Sequence, residues 1–215
     1  MLQTLGILVL LIVIVLFGVS KASSTEKTEA GSLKLEKQIE VLSDLGIKMN
    51  KGVSVEELLY SWGRDEYENK PFDLILHMYG SEIEKEPWGR NISNFVWNFD
   101  VECVEGSGSY IDIVKHFALI SGKSNVVTDI EDSVNFESGE AWVSYKINGK
   151  LRKYNVEIDN DWADSNAVAS IMGDMEDDSH RFYAKDNGQA SIWFYLDESK
   201  AKALNELTSN ALVSN

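Results

Sequence analysis

The chain has a single cysteine, Cys103, and only two prolines, both between positions 70 and 90. One cysteine excludes a disulfide bond within the chain. The scarcity of proline, together with a hydrophobic content of 44%, argues against a long disordered tail and favours a packed core. About 195 residues follow position 20, which is enough for one ordinary domain or two small ones.

Basic residues are also scarce. The chain has 20 Lys and Arg against 35 Asp and Glu, a formal net charge of −15 that lies entirely from Lys21 onward. Binding to nucleic acid requires basic side chains that face phosphates, so this class of partner is excluded. Close docking on an anionic membrane leaflet is disfavoured for the same reason. A basic protein partner, cation binding and simple solubility all remain open.

Motifs for catalysis and cofactor binding are missing as well. The sequence has no Gly-x-Ser-x-Gly elbow, phosphate-binding loop or dinucleotide fingerprint, and it predicts no cofactor. Gly106-Ser107-Gly108 is too short to hold a phosphate by itself. A nucleophilic pair of Cys103 and His116 is disfavoured, because the pattern places Cys103 on an apolar strand face, where a free cysteine acts as a small hydrophobic residue.

The first twenty residues contain no charged side chain, and Leu5–Val19 is an unbroken apolar run. A helix over this segment covers most of a roughly 30 Å hydrocarbon core, so residues 1–20 are interpreted as a transmembrane anchor. A cleaved signal peptide is the alternative, with Ser20-Lys21-Ala22 as its cleavage site. Against it, the segment before the apolar run has no Lys or Arg.

Lysines follow the apolar run and none precedes it. The positive-inside rule then predicts a single-pass membrane protein whose large domain lies in the cytoplasm. Export after signal cleavage is the alternative location.

The remaining chain is predicted to be α+β. Residues 21–32 are small and polar and are interpreted as a tether, and 33–215 as a single domain. Within that domain, 33–122 is helix-rich, whereas 123–215 has the order hairpin, helix, hairpin, helix. We expect antiparallel β-hairpins that pair into one sheet, with helices covering one face.

Local signals support this division. Ser54 and Glu57 form a capping box, and Pro71 is expected to open a helix. Residues 94–104 are predicted to be a strand with one aromatic and one largely polar face. Asn148-Gly149 predicts a two-residue hairpin.

Two groups of acidic residues are the candidate binding residues. Asp100 and Glu102 share one face of the predicted strand, and Glu105 lies just beyond it. Asp159 and Asp161 precede a predicted helix with Trp162 between the acidic positions, and an exposed Trp beside carboxylates is typical of protein interfaces. A solvated sheet face and ordinary turns explain the same residues without any ligand.

No metal site is predicted. Residues 159–170 fail as a helix-loop-helix calcium loop, because Asp164 occupies the position of the invariant Gly and Ser170 that of the final Glu. The second acidic run, Gly173–His180, is interpreted as a solvated loop.

Two stretches, PWGRNISNFVWNFDVECVEGSGSYIDIV and DNGQASIWFYLDESKAKALNEL, are similar to a group of uncharacterised bacterial proteins. In that group an aromatic strand ending in Glu-Cys leads into a Gly-rich turn and a helix. The resemblance covers roughly 54–207. It implies a bacterial source, but it assigns no activity and no catalytic residue.

Three functional hypotheses follow. The first is a membrane-anchored, non-enzymatic binding module whose acidic surface binds a basic protein, in the manner of acidic immunity proteins that neutralise basic toxins. The second is a hydrolase that uses Asp100 and Glu102 as paired carboxylates, either alone or with a cation at Asp159 and Asp161. The third is an envelope protein with a structural role.

Overall fold

This computed structural model describes residues 32–214. The predicted anchor at 1–20 and all but the last residue of the predicted tether at 21–32 lie outside the described residues. Within 32–214, no helix is both long enough and apolar enough to cross a membrane.

The described chain is α+β, with antiparallel sheets and helices, as predicted. The helices are α1 (Leu35–Asp44), α2 (Val55–Leu58), α3 (Arg64–Asn69), α4 (Leu74–Tyr79), α5 (Ser109–Ile120), α6 (Ser165–Met175) and α7 (Glu198–Leu207). The strands are β1 (Val96–Asp100), β2 (Val127–Asn135), β3 (Glu140–Ile147), β4 (Lys150–Val156), β5 (Arg181–Asn187), β6 (Ala190–Leu196) and β7 (Leu212–Ser214).

The two predicted hairpins form, but they belong to different sheets, so the expectation of one sheet was wrong. The order of one sheet is β1-β6-β5-β7, and the order of the other is β2-β3-β4. Strand β6 reads ASIWFYL, a nearly continuous apolar run that has to be covered on both faces. Strand β4 reads KLRKYNV, whose polar positions suit a sheet with one solvated face.

The four-stranded sheet separates two hydrophobic clusters. On one face, Trp97, Phe99 and Phe182 join the first cluster, which also contains α5, α6 and the inner face of the three-stranded sheet. On the other face, Ile192 and Phe194 join the second cluster, which contains residues of α1–α4 and α7. Helices therefore cover both faces of this sheet.

Two local predictions need correction. Pro71 does not open a helix, because Phe72 adopts φ +66° with its N–H donating to the buried Gln38 side chain, and α4 begins at Leu74. The strand predicted at 94–104 is limited to Val96–Asp100. Its second face is not solvated throughout, because Val96 is buried in the second cluster.

The capping box is confirmed. The Ser54 side chain accepts from the Glu57 N–H, and the Glu57 carboxylate accepts from the Ser54 N–H. The Asn148-Gly149 hairpin is confirmed as well, since it joins β3 to β4 in continuous register.

Candidate functional site

The two groups of acidic residues chosen from the sequence lie next to each other in the structure. Glu102 and Trp162 form an isolated antiparallel bridge. On either side of it, the Val104 N–H donates to the Asp161 carbonyl at 2.9 Å and the Ala163 N–H donates to the Val101 carbonyl at 2.8 Å. The backbone beyond β1 is therefore paired with the loop before α6. We call the surface formed by Asp100, Glu102, Glu105, Asp159, Asp161 and Trp162 the acidic surface.

Apolar side chains fix the backbone beneath this surface. Val104 is buried in the first cluster, and Val101, Cys103, Ile158 and Ala163 pack against it. Val101, Cys103 and Val104 all face the first cluster, whereas the Glu102 side chain between them is exposed. The acidic surface therefore rests on a packed base rather than on a free loop.

Asp164 completes this base. Its carboxylate accepts from the N–H groups of Asn166 and Ala167 at the start of α6, and also from the N–H of Glu157. The Asp164 N–H donates to the hydroxyl of Tyr110, which is fully buried in α5. Asp164 thus has a structural role, whereas its neighbours Asp159 and Asp161 remain exposed.

The carboxylates of the acidic surface are not neutralised. Asp100, Glu102, Glu105, Asp159 and Asp161 are all exposed, and within residues 32–214 none of them forms an ion pair with a basic side chain. Trp162 lies among them with 45% of its surface exposed. An exposed indole surrounded by unpaired carboxylates suits a cationic binding partner.

The geometry supports catalysis by Asp100 and Glu102 less well than it supports binding of a cationic partner. Both side chains are exposed, and the Asp100 carboxylate accepts from the Glu102 N–H at 3.0 Å. A cleft of about 570 Å³ lies beside them, but its lining includes Glu105, not Asp100 or Glu102. Paired catalytic carboxylates require a pocket that shifts their pKa values apart, and this pair does not line the cleft at its side.

Cys103 and His116 both line that cleft, together with Trp97. Burial, reinforced by the Asp100 charge, raises the pKa of the Cys103 thiol to about 11, so the thiol is protonated at neutral pH. The His116 ring stacks on Trp97 with a centroid distance of 4.7 Å, and its Nδ1 lies 2.8 Å from the Asp112 carbonyl. These contacts give both residues packing roles.

Asp132 is a residue whose importance the sequence did not reveal. Its carboxylate accepts from the N–H of Gly108 at 2.7 Å and from the N–H of Tyr110 at 2.9 Å, and so caps α5 from a neighbouring strand. Gly108 adopts φ +106°, a left-handed conformation that favours glycine. The N-terminus of α5 is therefore occupied by a carboxylate of the chain itself. No local sequence signal links Asp132 to a helix more than twenty residues earlier.

The second acidic run is organised as a turn. One Asp177 oxygen accepts from the N–H groups of Ser179 and His180, and the other lies 3.2 Å from Lys123 Nζ and accepts from the Tyr195 hydroxyl. The Ser179 hydroxyl also donates to the Asp177 carboxylate at 2.7 Å, and this bond, together with the others, holds the pKa of Asp177 well below its usual range. Within 32–214, no group of three or more His, Cys, Asp and Glu residues is arranged to hold a metal ion.

Comparison with known proteins found no matching protein-family model, no matching curated protein and no matching solved structure. Fold alone does not define function, so a function for this chain has to be argued from its own surfaces.

Proposed function

We propose that this chain is a membrane-anchored, non-enzymatic binding module whose acidic surface binds a basic protein. The observation that carries the proposal is the set of five exposed carboxylates around Trp162 without an ion-pair partner among residues 32–214. Such a surface attracts cationic groups and repels other acidic proteins, which gives both fast association and selectivity.

The energetic roles differ between Trp162 and the carboxylates. An exposed aromatic residue near the centre of an interface typically contributes the largest single share of binding energy. The carboxylates at its rim mainly accelerate association and determine which partner fits. Because exposed charges are screened over roughly 8 Å at physiological ionic strength, binding should weaken markedly as salt is added.

The membrane part of the proposal rests on the apolar run Leu5–Val19 and the lysines that follow it. With the lysines on the cytoplasmic side, the binding module faces the cytoplasm. An immunity-like role, in which the module captures a basic toxin at the membrane, is one concrete form of this function.

Capture from the source organism tests the proposal. The full chain is solubilised in detergent, used as bait, and eluted with a salt gradient before mass spectrometry. We expect a stoichiometric basic protein that is released at moderate salt. Binding that does not change with salt, or the absence of any partner, would contradict the proposal.

A pair of variants tests whether the partner binds at the acidic surface. Neither the Glu102 nor the Asp161 carboxylate accepts a hydrogen bond from the described residues, so E102Q/D161N removes charge without removing a structural contact. The matched control E137Q/E140Q removes the same charge from two exposed positions, one in the β2–β3 turn and one at the first residue of β3. We expect E102Q/D161N to reduce capture and the control to leave it nearly unchanged. Equal losses would indicate a general charge effect and not a site.

A further inference from the structure

A second exposed surface lies on loops of the helix-rich part. Tyr60 and Trp62 are in the loop between α2 and α3, with exposures of 58% and 48%, and Trp88, in the loop at 81–90, is 66% exposed. We call these three residues the aromatic surface. Large aromatic side chains bury much apolar area when a partner is present, so three of them in adjoining loops indicate a surface that is used.

Polar contacts join the two loops. Arg90 Nη2 lies 2.7 Å from Glu57 Oε1, and the Ser61 hydroxyl donates to the Glu84 carboxylate. The Lys85 ammonium lies 5.8 Å from the centre of the Tyr60 ring. These contacts hold Tyr60, Trp62 and Trp88 on one side of the molecule as a common surface.

The start of the described chain lies beside this surface. Lys34 Nζ is 2.9 Å from the Glu68 carboxylate, and Arg64 is 2.7 Å from Glu36, so α1 enters alongside α3. Helix α3 begins at Arg64, two residues after Trp62. Residues 20–31, which connect Val19 to the first described residue, span at most about 43 Å when fully extended. A connection of this length allows this side of the molecule to reach the bilayer that carries an anchor at Leu5–Val19, and the contact itself has to come from the aromatic surface.

The acidic surface lies elsewhere. The residues beneath the acidic surface pack on the first cluster, while α2–α4 contribute to the second. Contact through the aromatic surface thus leaves the acidic surface open to the aqueous side.

We propose that the aromatic surface seats in the headgroup region of the bilayer that carries the anchor, and that it orients the acidic surface away from the membrane. This inference rests on the proposed membrane anchoring. Trp and Tyr are the residues enriched at the membrane–water interface, where the ring lies in the apolar layer and the polar atom stays hydrated.

The charges around the aromatic surface specify the lipid. Glu82, Glu84 and Glu86 are exposed in the same loop as Trp88, and the whole chain carries −15. Anionic headgroups repel such a surface. The lipid it fits is therefore a zwitterionic one, such as phosphatidylcholine or phosphatidylethanolamine.

Tryptophan quenching tests this orientation. All six Trp lie after residue 60, so the anchor segment contributes no Trp signal. The full chain is reconstituted into phosphatidylcholine vesicles with brominated acyl chains, which quench nearby indoles, and flotation of the vesicles reports anchoring separately. We expect W62F/W88F to lose most of the quenching. The matched control W162F, which alters a Trp of similar exposure, should retain it.

The outcomes separate the two proposals. A chain that floats without quenching, or whose quenching is lost in W162F and not in W62F/W88F, overturns the docking while the anchor stands. A chain that does not float overturns the anchor and the docking that depends on it. Replacing part of the phosphatidylcholine with phosphatidylserine should reduce quenching, and an increase would overturn the choice of a zwitterionic lipid.

Discussion

The two sides of the four-stranded sheet are built differently. On the first-cluster side, aromatic rings pack against each other. The Phe117 ring makes edge contacts with the rings of Trp97 and Phe182, with centroid distances of 4.9 Å and 5.3 Å. On the second-cluster side, buried polar groups connect the segments, among them Gln38 and Glu68. The exposed surfaces differ as well. On the first-cluster side, Trp162 lies among carboxylates that form no ion pair within residues 32–214. On the second-cluster side, Tyr60, Trp62 and Trp88 lie in loops where the Glu57 carboxylate is paired with Arg90 and the Glu84 carboxylate accepts from Ser61.

The largest effect is expected from removing a core ring on either side. Phe117→Ala in the first cluster and Phe194→Ala in the second should each reduce the free energy of unfolding by about 3–5 kcal/mol. Because both clusters pack on the same sheet, each variant should unfold in one cooperative transition, as followed by urea denaturation with circular dichroism and Trp fluorescence. Two separate transitions would mean that the two sides are independent units. Leu151→Ala, at an exposed position, should be nearly neutral.

Gln38→Ala tests the polar connections of the second-cluster side. The Gln38 side chain donates to the Leu33 carbonyl at 2.7 Å and to the Tyr67 carbonyl at 2.8 Å, and it accepts from the Phe72 N–H at 2.9 Å. Truncation leaves these backbone groups without partners and should cost about 2–4 kcal/mol. The exposed Gln189→Ala is the matched control. Equal midpoints of denaturation for the two variants would show that packing alone holds this side.

Gly80→Ala tests how closely α4 fits against β1. A Cβ at this position would overlap the Asn98 backbone nitrogen, so the helix end or the strand has to shift. Overpacking of this kind typically costs about 1–3 kcal/mol. Gly173→Ala is the control, since a Cβ there meets no neighbour. A Gly80→Ala protein with unchanged melting temperature would contradict the packing described for the second-cluster side.

Asp132→Ala tests the cap of α5 on the first-cluster side. Loss of the carboxylate leaves the Gly108 and Tyr110 N–H groups unbonded and should cost about 1–2 kcal/mol. Asp132→Asn keeps an acceptor oxygen without the charge, so we expect an intermediate loss of stability. If urea denaturation gives the same free energy of unfolding for Asp132→Ala and Asp132→Asn, the loss of stability comes from the charge at the helix terminus and not from the hydrogen bonds.

The smallest effect concerns pH. Hydrogen bonds from the Ser199 hydroxyl and then the Lys200 N–H lower the pKa of Asp197 to about 2 in the folded protein. An unfolded Asp titrates near 3.9, so this stabilisation is complete above about pH 4 and is lost as the pH falls towards 2. Thermal unfolding of Asp197→Asn should therefore depend less on pH in this window than that of the wild type. If the melting temperatures of Asp197→Asn and the wild type change with pH in parallel, Asp197 does not cap α7 as described.

Much of the fold was readable from the sequence because it depends on local patterns. The capping box at Ser54 and the Asn148-Gly149 turn each involve residues a few positions apart. The separation into two sheets was not predicted, because β1 and β6 pair across about ninety residues and strand partners leave little trace in either strand.

The candidate site shows the same limit. The sequence selected the residues of the acidic surface by composition, and only the fold shows that the two segments are paired through Glu102 and Trp162. Asp132 and Gln38 were missed because their partners lie in distant segments. The aromatic surface was missed as a unit, because contacts between loops, such as that of Arg90 with Glu57, bring its residues together.

The most direct test of separate roles for the acidic surface and the aromatic surface measures both properties on the same variants. The full chain is reconstituted in phosphatidylcholine vesicles with brominated acyl chains. W162A and W62A/W88A are compared for Trp quenching and for capture of the basic protein found with the wild type. We predict that W162A loses capture and keeps quenching, whereas W62A/W88A loses quenching and keeps capture. If either variant loses both properties while remaining folded by circular dichroism, the two surfaces do not act separately and the account is wrong.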